Sequence, residues 1–281
     1  MKNLFFLTII FCLFSLTTHA QTAPSISGLI QDTNGQPISY VNVGIVGTST
    51  GTVSKEDGSY SLFFKTNTNE NDTVRFSIIG YESQMFLIKE LKDHQTIVLA
   101  EGVVELSEVV VRPNLSNQKT VGRSKTKGGR NVNFSIAKKP RQNLGAEIGK
   151  KFKVKNKPSK IESLSFFIRS NNFSATKFRI SFYSIKKNMP DQHLASQDII
   201  VSVDDKKTGW IEVDLSAYDI FTKKDFIASV QWIDASEDGK RLAMPIRFPV
   251  FGKKHYYKFG SQAKWKRYKN MSISMTVGLA Y

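Results

Sequence analysis

Short stretches in which apolar and polar residues alternate follow one another along the first third of the chain. They begin near Ile26, Val41, Tyr60, Val74 and Gln84. A period of two residues is typical of half-buried strands, and no convincing 3.6-residue helical period accompanies it. This spacing predicts an N-terminal β-sandwich of about seven strands.

The stretch GTVSKEDGSYSL, residues 51–62, lies between two of these predicted strands. A phosphate-binding P-loop would end in Gly-Lys-Ser/Thr before a helix, and this ending is missing from the stretch. In a calcium loop, Lys55 would occupy a position that needs an oxygen ligand. An Asp-Gly pair between alternating residues is a strong hairpin signal, so we interpret Asp57 and Gly58 as a structural turn.

The alternation resumes in the second half of the chain. It is clearest in ESLSFFI, KFRISFYSI, GWIEVDLS, DFIASVQWI and SISMTVGLAY, and it predicts a second, jelly-roll-like β-sandwich at 134–281. The range 113–133 is rich in Lys, Arg, Ser, Asn and Gly, which predicts a basic flexible linker. The fold class is therefore all-β, with one sandwich at 21–112 and another after the linker.

The first 20 residues have the layout of a secretory signal peptide. Lys2 precedes an apolar run, and Thr18-His19-Ala20 ends it as a small-residue cleavage site. The run is too short for a comfortable membrane span, so we expect no transmembrane segment in the mature chain. Cys12, the only cysteine, follows the bulky Phe11, which argues against lipidation and leaves the exported chain without disulfides.

The formal charge of +16 is distributed unevenly. Residues 21–112 carry six Lys or Arg and eleven Asp or Glu, whereas residues 113–281 carry 33 and 13. Residues 113–281 therefore have a net charge of +20, which favours anionic neighbours.

Several motifs of the first unit resemble the carboxypeptidase regulatory-like domain, over about Ile26 to Val111. The points of match are Gly28, Asp32, Gly35, Pro37, Val43, Gly51-Thr52-Val53, Asp57-Gly58, Tyr60, Gly80-Tyr81 and Glu108-Val109-Val110-Val111. The resemblance implies a transthyretin-like β-sandwich of an accessory kind, without catalytic residues. Such domains also precede the plug and barrel of TonB-dependent receptors, but fewer than 180 residues follow Val111 here, too few for a receptor of that kind. The second unit resembles an uncharacterised sandwich that often follows this domain and has no assigned activity.

The residues offer little support for catalysis or for a bound metal or other cofactor. After signal-peptide cleavage only His94, His193 and His255 remain, and they are scattered, whereas a zinc peptidase needs clustered ligands and a general base. Glu212 and Asp214 share one face of a predicted strand opposite apolar residues, as expected of a solvated face. No G-x-S-x-G occurs. We therefore predict no catalytic, cofactor-binding or metal residues.

The candidate ligand-binding residues lie in the basic aromatic stretch from Phe251 to Asn270. They are Tyr256, Tyr257, Lys258, Trp265, Lys266, Arg267 and Tyr268. Aromatic rings and cations together can hold a glycan, a lipid headgroup or a nucleic acid, and an exported protein seldom meets nucleic acid. The alternative is an ordinary hairpin with one basic face and aromatic side chains half in the core.

The sequence predicts a non-catalytic protein, exported to the periplasm, the outer membrane or the exterior of a Gram-negative cell. Its expected role is to bind or scaffold an anionic glycan, lipopolysaccharide or an acidic envelope protein, with no nucleic acid partner. Two alternatives stay open. One is a hydrolase of peptides or glycans with its site in the second unit, and the other is an assembly part of an outer-membrane complex.

Overall fold

The structure of the protein is a computed structural model. The structure describes residues 25–65, 67–91, 96–102, 115–127, 129–138, 141–154 and 157–281. The predicted signal peptide at 1–20 and the segment Leu106–Val111 lie outside these ranges. Within them, no helix is long and apolar enough to cross a membrane.

The N-terminal sandwich consists of a three-stranded and a four-stranded sheet. The first sheet contains β1 (Ser25–Asp32), β4 (Ser59–Phe63) and β7 (Thr96–Leu99), and the second contains β2 (Asn42–Ile45), β3 (Gly51–Val53), β5 (Thr73–Ser77) and β6 (Gln84–Leu87). A single helical turn, α1 (Ile88–Leu91), follows β6. In β4 and β5 every second side chain is buried, and Tyr60 and Phe76 meet edge to face between the sheets. The alternating residues of the sequence therefore form the two facing layers.

The second sandwich has a seven-stranded layer that packs against two smaller sheets. The large layer contains β10 (Glu147–Phe152), β13 (Ala175–Lys186), β14 (Met189–His193), β15 (Ile199–Asp204), β18 (Phe226–Ala235), β20 (Lys254–Lys258) and β21 (Lys266–Lys269). The five-stranded sheet contains β8 (Gln118–Arg123), β11 (Ser159–Ile168), β16 (Gly209–Asp214), β17 (Phe221–Thr222) and β23 (Met275–Ala280). The four-stranded sheet contains β9 (Arg130–Ser135), β12 (Ser170–Asn171), β19 (Leu242–Arg247) and β22 (Ser272–Ile273).

The chain of the second sandwich passes repeatedly from one layer to the other. For example, it goes from β10 in the large layer to β11 in the facing sheet and back to β13. Aromatic side chains fill the space between the layers, with ring centroids 5.4 Å apart for Phe166 and Phe178 and 5.6 Å apart for Phe173 and Trp232. The predicted all-β fold, a small sandwich followed by a jelly-roll-like one, is confirmed.

Within the predicted linker 113–133, the described residues 115–127 and 129–133 differ from the flexible segment that composition predicts. β8 pairs along β23, from Gln118 opposite Ala280 to Arg123 opposite Met275, and β9 pairs with β19. These strands are held by backbone hydrogen bonds at the sheet edges, and most side chains of β8 are exposed. A polar edge strand needs few apolar residues, which explains why composition alone failed here.

The N-terminal sandwich lies on the outer face of the large layer. Ile233 of β18 forms a buried cluster with Tyr40 and Val53, so both faces of β18 are covered. The side chain of Gln231 donates to the Asn42 side chain at 2.8 Å. Farther along the contact, Ser261 donates to the carbonyl of Val43 at 2.6 Å.

Charged side chains reinforce the contact between the sandwiches. The buried guanidinium of Arg179 donates to both carboxylate oxygens of Asp198, to Gln231 and to the carbonyl of Tyr40. Lys177 forms an ion pair with Glu56 at 2.7 Å. Glu56 belongs to the 51–62 stretch, so the acidic part of that stretch contacts the second sandwich.

Candidate functional site: a basic hairpin and a lysine cavity

Asp57 and Gly58 lie in the turn between β3 and β4. β3 pairs with β2 and β4 pairs with β1, so this turn connects the two sheets and is not the hairpin that the Asp-Gly pair predicts. Asp57 accepts hydrogen bonds from the backbone and the hydroxyl of Ser59 through one oxygen, which lowers the pKa of its carboxyl. Gly58 has a φ of +78°, and a Cβ atom there would lie 2.6 Å from the carbonyl oxygen of Ile30. The turn therefore requires glycine for its backbone conformation and for the close approach of β1.

The seven candidate ligand-binding residues occupy the hairpin of β20 and β21 and the loop between these strands. Tyr256 pairs with Arg267, and Tyr257 pairs with Lys266. Both tyrosines are buried, on opposite faces of the strand: Tyr257 joins the sandwich core, whereas Tyr256 packs on the outer face. Tyr268 packs partly buried against that core. The structure brings the hairpin residues together, but it uses the tyrosines for packing.

Lys258 of this hairpin has an internal partner. Its Nζ lies 3.2 Å from Oε2 of the buried Glu147, whose Oε1 accepts hydrogen bonds from Tyr183 at 2.9 Å and Ser229 at 2.5 Å. Burial acts to raise the pKa of Glu147, but the charge of Lys258 and these hydrogen bonds bring it below its ordinary value. The cluster is a satisfied buried ion pair.

The remaining hairpin residues are engaged in part. Trp265 meets Tyr183 edge to face with ring centroids 5.9 Å apart, and Lys258 lies 5.6 Å from the centroid of the Trp265 ring. Lys266 lies 5.4 Å from the ring centroid of Phe259. Arg267 is exposed. Lys258 and Lys266 therefore each lie against an aromatic ring of the same stretch.

A second basic feature lies at the end of the sandwich where β10, β8 and β23 meet. It is a cavity of about 530 Å³, here called the lysine cavity. Its lining includes Lys119, Lys150, Lys151, Lys153, Lys157, Lys253 and Lys254, together with Phe152, Leu279 and Tyr281. Among the described residues that line it, none is acidic, and the single ion pair at its edge joins Lys151 to Asp225 at 2.8 Å.

Lys150 is the least exposed lysine of the cavity, at 5%. Its Nζ donates to the carbonyls of Ile273 and Met275, at 3.2 and 2.9 Å. Burial, followed by the charges of Lys253 and Arg123, lowers its pKa to about 7. The protonated form of this amine is disfavoured, because it is buried and no carboxylate within the described ranges pairs with it.

The sequence did not predict the cavity as a site, although its residues Lys253 and Lys254 belong to the basic aromatic stretch from Phe251 to Asn270 and β10 carries a further signal. Every second residue of β10 faces the core, and these residues are Ile148, Lys150 and Phe152. A lysine therefore occupies a position where the pattern predicts an apolar side chain. Lys119 and Lys253 are far from β10 in sequence and approach it only through the sheet topology. The lysine among the apolar positions of β10 was visible in the sequence. The approach of Lys119 and Lys253 to it was not.

The histidines and the carboxylate pair show no catalytic arrangement in the part of the chain that the structure describes. Burial lowers the pKa of both His193 and His255 to about 4, so both are neutral at pH 7. Glu212 and Asp214 are exposed on β16. No three residues of metal-binding type converge within the described ranges. His94 lies outside them.

Comparison with known proteins identifies part of the chain. Residues 26–111 match the family model of the CarboxypepD_reg-like domain. The TonB-dependent receptor SusC of Bacteroides thetaiotaomicron is 32% identical over 87 residues, which cover 31% of this chain but only 8% of the receptor.

Solved structures give a weaker likeness. The cysteine protease and lectin-like domains of Cwp84, a surface layer associated protein of Clostridium difficile, align with a TM-score of 0.43 at 9% identity. That alignment covers 86% of this chain and 58% of the other. Cwp84 after propeptide cleavage aligns with a TM-score of 0.41 at 11% identity, over 94% and 73% of the two chains. The family model thus supplies the identification: residues 26–111 form a CarboxypepD_reg-like domain, as the motifs of the sequence predicted.

Proposed function

We propose that the protein is an exported, non-catalytic module of a Gram-negative envelope whose second sandwich binds an anionic envelope component. The observation that supports this most directly is the lysine cavity, where seven lysines converge and no described lining residue is acidic. An anion that enters the cavity is attracted by several cations at once.

The envelope location is supported by the N-terminal domain. Residues 26–111 are similar to part of SusC, a TonB-dependent receptor, and the first 20 residues have the layout of a signal peptide. The N-terminal sandwich contacts the second one through Arg179 and Lys177. We infer that it holds the basic sandwich at the envelope.

Lys150 supports binding of an anion inside the cavity rather than at the outer surface alone. Burial lowers the pKa of this amine to about 7. An anion that binds beside it stabilises the protonated form, so protonation of the amine strengthens binding of the anion. Affinity should therefore rise as the pH falls towards 7. Below pH 7 it should level off, since the amine is then already protonated in the free protein.

The non-catalytic character is supported by the buried side chains around Glu147. Glu147, Tyr183 and Ser229 are buried, and their side chains bond to one another and to Lys258. A nucleophile or general base needs access to substrate, and this cluster has none.

Binding to purified lipopolysaccharide at two salt concentrations tests the proposal. We expect affinity to fall by tenfold or more between about 50 and about 300 mM NaCl, because surface charge attraction is screened. Lys119→Glu with Lys253→Glu, in the cavity, should abolish binding. The matched control is Lys264→Glu with Lys266→Glu, which reverses two exposed charges at the hairpin and should retain most of the affinity.

Two results would overturn the proposal. One is binding that is insensitive to salt. The other is a loss of affinity that is equal for the hairpin and cavity variants, because the cavity would then have no special role. Inorganic diphosphate provides a soluble probe of the same cavity, and its binding by the full chain should follow the same pattern.

A further inference from the structure

An exposed phenylalanine lies at the tip of the turn between β19 and β20. Phe251 is 81% exposed, the highest value among the large apolar side chains of the described residues. Turn tips ordinarily carry Gly, Asn, Asp or Ser, because these side chains suit both water and the turn geometry. Exposure of an aromatic ring to water is unfavourable, so the transfer of this side chain to an apolar environment would lower the free energy.

The backbone fixes the position of this ring. The amide of Lys253 donates to the carbonyl of Val250 at 3.2 Å, which closes a four-residue turn, and Gly252 supplies a φ of +72°. The amide of Val250 also donates to the carbonyl of Asn270 at 2.7 Å, and Asn270 donates back to Lys253 at 2.8 Å. The turn is therefore attached on both sides, and Phe251 projects from a defined base.

A second phenylalanine lies three residues earlier. Phe248 is 49% exposed, and the guanidinium of Arg130 lies 5.7 Å from its ring centroid. Phe248, the half-buried Val250 and Phe251 lie within four consecutive residues, 248–251, which we call the phenylalanine turn. A cation beside an exposed ring suits a boundary between an apolar and an anionic phase.

The phenylalanine turn is continuous with the lysine cavity. Gly252, Lys253 and Lys254, which follow it directly, line the cavity. Apolar rings at the tip and cations immediately behind them are the pattern of an interfacial anchor, in which rings enter the acyl boundary and cations meet anionic headgroups. A soluble glycan would account for the lysines but not for the exposed rings.

We propose that this end of the second sandwich docks on an anionic lipid surface, with Phe248 and Phe251 entering the interface and a phosphate headgroup occupying the lysine cavity. The inference rests on the proposed function, because it names the anionic component as a lipid. The two can fail separately, since the rings act only on a bilayer and the lysines act on any anion.

Vesicle sedimentation with the full mature chain tests the inference. Vesicles of phosphatidylcholine with about 30 mol% phosphatidylglycerol should bind the protein, and vesicles of phosphatidylcholine alone should not. Phe251→Ser should weaken partitioning by about tenfold, and the double variant with Phe248→Ser should weaken it further. Phe63→Ser is the matched control, because Phe63 is 65% exposed on the N-terminal sandwich, and it should bind as the wild type does.

A spectroscopic readout accompanies the binding measurement. Phe251→Trp places a fluorophore at the tip, and its emission should shift to shorter wavelength with the anionic vesicles only. Circular dichroism of each variant should match the wild type, since an exposed turn side chain contributes little to stability.

The outcomes separate the two claims. If Phe251→Ser partitions like the wild type, or if the wild type binds soluble diphosphate but no anionic vesicle, lipid docking is overturned while the anion-binding function stands. If Lys119→Glu with Lys253→Glu leaves both vesicle and diphosphate binding unchanged, both claims fall. Loss of vesicle binding by the serine variants, with diphosphate binding retained, supports the inference.

Discussion

The basic hairpin and the lysine cavity have similar side chains but different surroundings. In the hairpin, Lys258 pairs with the buried Glu147, and Lys266 stacks on Phe259. In the cavity, Lys150 has only carbonyl acceptors among the described residues, and Lys253 adds a second positive charge that acts on it. The difference lies in the counter-charge of the two less exposed lysines: Lys258 has a carboxylate partner, and Lys150 has none among the described residues.

This difference shows why composition is a poor guide to a binding site. A lysine that already has a carboxylate partner contributes to folding and has little left for a ligand. Lysines that lie close together without a carboxylate partner repel one another, which slightly destabilises the folded state. A bound anion would relieve this repulsion. The stretch with the most aromatic and basic residues uses Tyr256, Tyr257 and Lys258 within the fold, and for this reason we propose the cavity as the binding site.

Glu147→Ala should produce the largest change in stability. It leaves Lys258 without its partner and removes the acceptor of Tyr183 and Ser229, so we expect the free energy of unfolding to fall by about 4 kcal/mol. Urea unfolding measures this loss. Glu147→Gln, which keeps an acceptor, should cost less. A loss below about 1 kcal/mol would show that the ion pair between Lys258 and Glu147 does not stabilise the sandwich.

Lys150 should make stability depend on pH in the alkaline range. The folded amine has a pKa of about 7 and the ordinary value is 10.5, so between these values only the unfolded chain holds the proton. Stability therefore rises with pH. Between about pH 6.5 and 9.5, the free energy of unfolding of the wild type should increase by about 3 kcal/mol relative to that of Lys150→Met. Parallel pH profiles of the two proteins would contradict the burial of an uncompensated amine.

Much of the fold could be predicted because its signals are local. The Asp57-Gly58 turn and the alternation in β11, β13 and β18 are carried by adjacent residues. The edge strand β8 was missed because its pairing with β23 uses backbone groups, which leave no pattern in the side chains.

The candidate site was harder to predict than the fold. Tyr256 and Tyr257 have the composition of a ligand platform, but the sequence does not show that both are buried. The cavity depends on bringing Lys119, Lys150 and Lys253 together from three separate elements, which only the topology of the layers decides.

Lys253→Met should produce the smallest effect and should sharpen the contrast between the two regions. Because the charge of Lys253 helps to lower the pKa of Lys150, its removal should raise that pKa towards its ordinary value. Diphosphate affinity should fall by a few-fold at the same time, because one attracting charge is lost. Lys266→Met, at the hairpin, should change neither quantity. Lysine side-chain NMR measures the pKa, and calorimetry measures the affinity.

The cavity is tested most directly by a titration of the full chain, labelled at lysine Cε, with inorganic diphosphate near pH 7.5. If the anion binds in the cavity, the signals of Lys150 and Lys253 shift with saturation, while those of Lys258 and Lys266 stay in place. Shifts at Lys258 and Lys266 with an unchanged Lys150 would contradict this proposal and would move the anion site to the hairpin.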